Sequence, residues 1–146
     1  MEQGNILNLM VSHHALLDAL SGLFRDEVRD NSPTVEKSLT ELSWELKKHF
    51  FTEENAIFDF IPLKNIDIWK TMNTLKDEHL AMMDSLKDFA EKLPDISEAD
   101  LDAFYELLSE HREVEEHELY PRIDKDLSAE HKHQIIVRIN EIPITK

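Results

Sequence analysis

The sequence predicts an all-α protein: an up-down-up-down antiparallel four-helix bundle with a short C-terminal helix. Three observations predict it. Gly occurs twice and Pro five times in 146 residues, too few breakers for an all-β fold. Apolar residues recur at the 3.6-residue period over four long stretches. Short segments join those stretches, as antiparallel neighbours in a bundle require.

The first predicted helix runs from Ile6 to about Val28, with a stripe of Ile6, Leu9, Met10, Leu16, Leu17, Leu20, Leu23 and Phe24. Asp30-Asn31-Ser32-Pro33 breaks it. Ser32 reads as the next N-cap, with Pro33 at the first helical position. The second helix runs to about Phe58, turns Leu39, Leu42, Leu46, Phe50 and Ile57 inward, and stops near Pro62. The third runs from about Ile66 to Leu93 on Ile68, Met72, Leu75, Met82, Leu86 and Phe89, and Pro94 ends it. Ser97 then opens a capping box with Asp100 in place of the usual Glu. The fourth covers Leu101, Phe104, Leu107, Leu108 and Val114 and ends at Tyr120-Pro121. A shorter helix over about 128–141 carries Ile135, Ile136 and Ile139, and either caps the bundle or offers a partner or dimer surface. The whole chain, 1–146, reads as one domain whose bundle covers about 5–121.

Composition narrows the function. Hydrophobic residues make up 41% and charged residues 32%, which is globular, and a chain of this length buries a core without staples. Sixteen basic against 31 acidic residues leave a formal charge of −15, which disfavours nucleic acid and anionic lipid as partners. The absence of Cys removes disulfides, thiolate metal sites and thiol catalysis. The N-terminus has no basic region of a signal peptide. No stretch approaches about 18 uninterrupted apolar residues, so no membrane span is expected. The expected location is the cytoplasm.

Eight His in such a chain draw attention to an internal repeat. Residues 49–58 read HFFTEENAIF and residues 111–120 read HREVEEHELY. Both fit His-x-x-x-Glu-Glu-x-x-aliphatic-aromatic. His49 aligns with His111, Glu53 with Glu115, Glu54 with Glu116 and Phe58 with Tyr120, and Pro62 and Pro121 follow. The preceding helices repeat too. Leu75, Met82, Met83 and Leu86 surround His79 as Leu9, Leu16, Leu17 and Leu20 surround His13.

Residues i and i+4 of a helix lie about 40° apart around its axis. His49 therefore faces the same way as Glu53, and His111 the same way as Glu115. In an antiparallel bundle the pairs can meet at one depth, with the partner His on each neighbouring helix. Unpaired, those groups would cost several kcal/mol each when ionised in an apolar interior. A metal centre resolves the cost, and imidazole with carboxylate suits iron, manganese or zinc. A lone His on an apolar face is more often a satisfied core residue, and an isolated His-x-x-x-Glu a surface pair; the doubled, aligned pattern is what favours metal.

His13 and His14 compete for the first-helix position. His13 lies near the centre of the stripe and His14 about 100° away, so His13 is favoured and His14 is its rival. His117, His131 and His133 read as surface residues, and Met82 and Met83 as core. Glu54, Glu116 and Glu78 stand beside candidate ligands and could accept from them, but solvation is the plainer reading. Tyr120 either brings a hydroxyl to the centre or plugs the helix end, as Phe58 would. Leu46, Phe50, Leu107 and Leu108 would keep the site dry.

His, His-x-x-x-Glu, His, His-x-x-x-Glu over four helices resembles the hemerythrin-like, or HHE cation-binding, domain family, over about residues 6–121. The resemblance implies a non-haem di-iron centre of the Fe–O–Fe type in a four-helix bundle. It implies His13 (or His14), His49, Glu53, His79, His111 and Glu115 as ligands, with the two Glu bridging. Oxygen-carrying hemerythrins have a third-helix His-x-x-x-His, where this chain has Leu75 and Met83 around His79. They also have a fourth-helix His-x-x-x-x-Asp, where this chain has Glu116. Four His and two Glu are closer to the di-iron domain of iron-centre repair proteins, whose usual Cys-bearing N-terminal segment has no counterpart here.

The expected function follows: a di-iron protein that binds or senses O2 or NO, or handles iron under oxidative or nitrosative stress. Peroxide is a further expected ligand. No catalytic residue is assigned beyond weak oxidase- or peroxidase-type turnover. An iron store or donor, or a metal-stabilised interaction module, are the alternatives. Monomer and homodimer are both open.

Overall fold

Long helices form where the apolar stripes run. The computed structural model describes residues 6–62 and 66–141, so the expected bundle start at residue 5 lies outside the described residues. Helix α1 spans Ile6–Arg29. It ends in a Schellman-type turn: the Ser32 amide donates to the Glu27 carbonyl (2.9 Å) and the Asn31 amide to the Val28 carbonyl (3.2 Å). Asn31 sits at φ 52°, a left-handed conformation that Asn tolerates.

Helix α2 spans Val35–Thr52, starting later than the expected Pro33. Ser32 is not its cap. The Ser32 hydroxyl accepts from the Thr34 amide (3.3 Å) and its carbonyl from the Val35 amide (3.3 Å), which makes a turn ahead of the helix. From α2 the chain passes without a break into a π-turn, Glu53–Ile57, and a 3-10 turn, Phe58–Phe60. Helix α3 spans Ile66–Lys92 and α4 Glu98–Val114. The Ser97 hydroxyl caps α4 by accepting from the Asp100 amide (3.1 Å). The Asp100 carboxylate turns to Lys92 instead (3.1 Å), so only half of the capping box forms. A second π-turn, Glu115–Leu119, leads into α5, Tyr120–Asp126. The fourth helix therefore does not stop at Tyr120-Pro121. Pro121 costs little here because it falls in the first turn after a π-turn that has already interrupted the i→i−4 pattern. Helix α6 spans Ala129–Glu141.

Contacts fix the helix directions. Along α1 and α4, Arg29 meets Glu98, Arg25 meets Asp102, and Asp18 meets Arg112, so the two run antiparallel. Glu27 accepts from Ser38 (2.5 Å) while His14 lies beside His49, so α1 and α2 do too. Phe89 packs on Phe104 while Glu78 reaches His111, so α3 and α4 also run antiparallel.

The core has two parts. One contains Leu17, Phe24, Leu42, Phe89 and Phe104. The other contains Ile6, Met10, Met72, Tyr120 and Ile123, with Ile135 and Ile139 of α6, so the tail helix packs over one end of the bundle. There the Asp124 carboxylate accepts from the Ile6 (2.9 Å) and Leu7 (3.0 Å) amides at the start of α1, a favourable place for negative charge. By length and composition α1 could cross a membrane; its buried face, Ile6, Met10, His14, Leu17, Ser21 and Phe24, packs into the bundle.

Candidate metal centre

Between the two core parts lies a layer of polar side chains. His14 comes from α1, His49 from α2, His79 from α3 and His111 from α4, and each π-turn opens with a Glu, Glu53 or Glu115. All six are buried, Glu53 fully. They form two overlapping groups that could hold metal, Glu53/His79/His111/Glu115 and His14/His49/Glu115, with the ligand atoms of each group within 4.8 Å of one another. Glu115 belongs to both. Its Oε1 lies 3.2 Å from His14 Nε2 and its Oε2 3.2 Å from His111 Nε2. Glu53 Oε1 lies 3.4 Å from His49 Nε2 and 3.2 Å from His79 Nε2.

The structure corrects the choice in α1: His14, not His13, enters the cluster. His13 is half-buried at its edge, with its ring 6.1 Å from that of His49. Leu16 and Leu23 caused the error. Both are about half exposed, at 51% and 47%, and they pull the apparent stripe one residue towards His13. The buried positions around His14 are Met10, Leu17, Ser21 and Phe24, at −4, +3, +7 and +10. Around His79 the same offsets give Leu75, Met82, Leu86 and Phe89. That match could have found His14, but polar Ser21 hides it.

Glu54, Glu116 and Glu78 are not simply solvated. His79 Nδ1 donates to Glu54 (2.7 Å), His14 Nδ1 to Glu116 (2.5 Å) and His111 Nδ1 to Glu78 (2.8 Å). A carboxylate on Nδ1 fixes the tautomer and leaves Nε2 facing inward as a lone-pair donor. His49 differs, because its Nδ1 is buried with no hydrogen-bond partner among the described residues.

The inner atoms are orphaned. His49 Nε2, His79 Nε2, His111 Nε2, Glu53 Oε1 and Glu115 Oε1 are buried and make no hydrogen bond among the described residues. Such atoms are rare and costly without a partner. A cation among them would satisfy all at once, so the donor set fits a metal. Electrostatics agree. Burial pushes the His49 imidazole down to about 3, keeping it neutral, as a ligand must be. Burial also lowers His79 against its bond to Glu54. Burial lowers His111 too, but the nearby Glu115 and the bond to Glu78 outweigh that and leave it raised. Glu53 is held well above the usual carboxylate range by burial and by Glu115. Burial would raise Glu115 as well, but its close neighbours Glu53, His111 and His14 hold it well below. The two carboxylates are too close to ionise together without a cation.

The other residues named from sequence sit as follows. Phe50 stacks on His79 at 4.0 Å and Leu46 is fully buried. Leu107 and Leu108 are partly buried against the same core. Met82 is core and Met83 packs against it. His117 and His133 are exposed. His131 is not a free surface residue: its Nε2 donates to the Phe60 carbonyl (2.7 Å). Tyr120 is fully buried, and its hydroxyl donates to Glu53 Oε2 and lies 3.4 Å from Glu115 Oε2. A cavity of about 350 Å³ borders the layer at His13, Lys48 and His49.

No curated protein and no solved structure gives a significant match to the chain. A family comparison does: residues 5–123 match the hemerythrin HHE cation binding domain. The matched span takes in α1 through the start of α5 and so contains every side chain of the polar layer, and a family of this kind implies a non-haem metal site. Most of its length and all of its buried His/Glu chemistry place the chain in the hemerythrin HHE cation-binding family.

Proposed function

We propose that this chain is a non-haem di-iron protein that binds or senses a small diatomic, O2 or NO, or handles iron under oxidative or nitrosative stress. The observation that carries the reading is the overlap of two buried His/Glu groups on one carboxylate, Glu115. His14, His49 and Glu115 would hold one ion; Glu53, His79 and His111, with Glu115, the other. Iron is proposed over manganese or zinc because the family resemblance favours it, although all three accept these donors. Ferrous iron with an open position supplies electrons and a binding place for a diatomic or for peroxide. The chain's own groups set the conditions. Glu54, Glu116 and Glu78 keep protons on Nδ1, so three Nε2 atoms face inward. Phe50 and Leu46 exclude water. We assign no catalytic residue and propose at most weak oxidase- or peroxidase-type turnover. The protein would work in the cytoplasm, as a monomer or homodimer, without a nucleic-acid or membrane partner.

The test is anaerobic loading with ferrous iron, desalting and elemental analysis, followed by O2 and NO titrations read by absorbance. About two irons per chain, and a spectral change saturating with either gas, support the reading. Well under one iron per chain, or preference for another metal, sinks it. A second reading, a metal-stabilised interaction module, draws support from the layer's place between two apolar core parts. It predicts that the metal-free chain unfolds, which circular dichroism before and after chelation would reveal.

A further inference from the structure

We infer that the seam between α1 and α4 binds a small zwitterion, a free α-amino acid with a small apolar side chain. The inference is independent of the metal reading. A cavity of about 290 Å³ opens between the two helices, lined by Ser21, Gly22 and Arg25 of α1 and by Tyr105, Ser109 and Arg112 of α4. Two ion pairs bridge the helices there, Arg25 with Asp102 (2.7 Å) and Arg112 with Asp18. Residues 18 and 25 stand about 10 Å apart along the helix, so the pairs lie at opposite ends of the seam. The internal repeat supplies the contrast. Aligned on the imidazoles of the polar layer, the seam of α3 and α2 has Met83, Leu86 and Ala90 in place of Asp18, Ser21 and Arg25, and Phe50 in place of Arg112. Met83, Leu86 and Phe50 pack into the core. One seam of the bundle is apolar, and the other carries charges and hydroxyls.

Two polar atoms of this seam are buried without partners. Ser21 Oγ and Arg25 Nε make no hydrogen bond among the described residues, and Ser21 is only 4% exposed. They belong to one helix face, one turn apart. Tyr105 fixes their setting: its hydroxyl donates to the Ser21 carbonyl, and the Arg25 guanidinium lies 4.6 Å over its ring. Gly22 is a third sign. Glycine inside a helix is less stable than alanine, and no packing requires it here, because a Cβ at Gly22 would meet no atom within 4 Å. Its missing side chain leaves room for a ligand against the backbone. The unpartnered donors call for an oxygen acceptor, and a guanidinium beside a hydroxyl suits a carboxylate. A bare anion fits poorly. Asp18 and Asp102 already neutralise both guanidiniums, and the formal charge of −15 repels anions. A zwitterion meets no such repulsion. Its carboxylate takes Arg25 Nε and the Ser21 hydroxyl. Its ammonium takes Asp18, one turn from Ser21 on the side away from Arg25. The Asp18 carboxylate is 53% exposed, and exposed ion pairs of this kind are weak enough to be shared. Leu108, which also lines the cavity, offers contact to a small apolar side chain. The volume is at the lower bound of small-molecule sites, about 300 Å³.

The experiment is equilibrium dialysis of the full chain, as purified with its metal, against radiolabelled L-valine. Wild type should bind one equivalent at millimolar concentrations or below. Isovalerate, which lacks the ammonium, and isobutylamine, which lacks the carboxylate, should each displace the label about tenfold less well, the size of effect for a lost hydrogen bond to a charged group. Gly22→Ala, which puts a methyl group into the cavity, should fold, melt at a higher temperature by circular dichroism, and bind no label. Asp18→Asn should bind L-valine about tenfold more weakly and isovalerate no more weakly than wild type does. The absence of bound label in wild type at millimolar L-valine overturns the inference. So does displacement by isovalerate or inorganic phosphate as effective as by L-valine itself, which would make the seam an anion site. Undiminished binding by Gly22→Ala overturns the placement of the ligand in this cavity. Each of these results leaves the di-iron reading untouched, because none involves a side chain of the polar layer.

Discussion

Aligned on His14 and His79, helices α1 and α3 bury matching positions: Met10 with Leu75, Leu17 with Met82, and Phe24 with Phe89. Aligned on His49 and His111, α2 and α4 do the same with Leu39 and Leu101, Leu42 and Phe104. Each half turns a carboxylate from its π-turn to the His of the other pair's helix, Glu54 to His79 and Glu116 to His14. The halves part company at several places, three of them beside the layer's own groups. Ser21 replaces Leu86, His13 replaces the Glu78 position, and Phe58 replaces Tyr120. The second difference has a visible result: His111 Nδ1 has Glu78 as acceptor, whereas His49 Nδ1 has none among the described residues. Where the halves agree, they define the polar layer; where they differ, they make its two sides chemically distinct.

The comparison breaks most completely at Glu115. Glu115→Ala removes the carboxylate shared by both groups and should leave the chain unable to retain either ion after desalting. Glu53→Ala, touching one group, should retain one. Equal metal content in the two variants, by elemental analysis, would contradict the unequal sharing. Next in size is the contrast in α1. His14→Ala should lose the ion held by His14, His49 and Glu115, and His13→Ala should keep full stoichiometry. The reverse result would return the ligand to His13.

Acid should then act through His49. In the unfolded chain this imidazole takes a proton near 6.5, and in the fold only near 3. Over that window the unfolded state binds the extra proton, so metal-free stability falls as pH falls, by about 1.4 kcal/mol per pH unit from this group. His79, also lowered, adds the same sign. His111 and Glu53, both raised, oppose it, because their contributions are present at low pH and lost as pH rises. Urea unfolding of the metal-free chain at pH 7 and pH 5, in wild type and in His49→Phe, should show the wild-type midpoint falling relative to the variant's as pH drops; midpoints that move in parallel would mean that His49 does not stay neutral in the fold. The smallest effect belongs to Ser21, whose buried hydroxyl has no hydrogen-bond partner. Ser21→Ala should stabilise the chain by about 1 kcal/mol without changing metal content, as a thermal melt would report.

Much of this was legible in the residues. The helices follow the apolar period, and the doubled His-x-x-x-Glu pointed to the polar layer because residues four apart share a helix face. What escaped depended on backbone geometry that periodicity assumes away. An ideal 3.6-residue count does not anticipate the two π-turns, so it misplaced the end of the fourth helix and left the orientation of Tyr120 open. His14 was ranked behind His13 because exposure is not written in residue type: Leu16 and Leu23 look like core and face outward. The partnership of Glu54, Glu116 and Glu78 with imidazole nitrogens is a cross-helix relation, and no single-helix pattern contains it.

The bond from Asp124 to the first amides of α1 has a consequence for assembly. Ordinarily a helix start is satisfied by a residue beside it, as Ser97 does for α4. Here the acceptor for the Ile6 amide lies 118 residues further along the chain. Such a contact closes a loop of nearly the whole chain and is among its least local. It couples the ordering of the first helix to the arrival of the fifth. A local cap would let α1 mature early and alone, with His14 held before its partners exist. A distant one acts as a clasp: the helix that carries His14 is fastened at its start by the helix that follows Glu115 and Glu116.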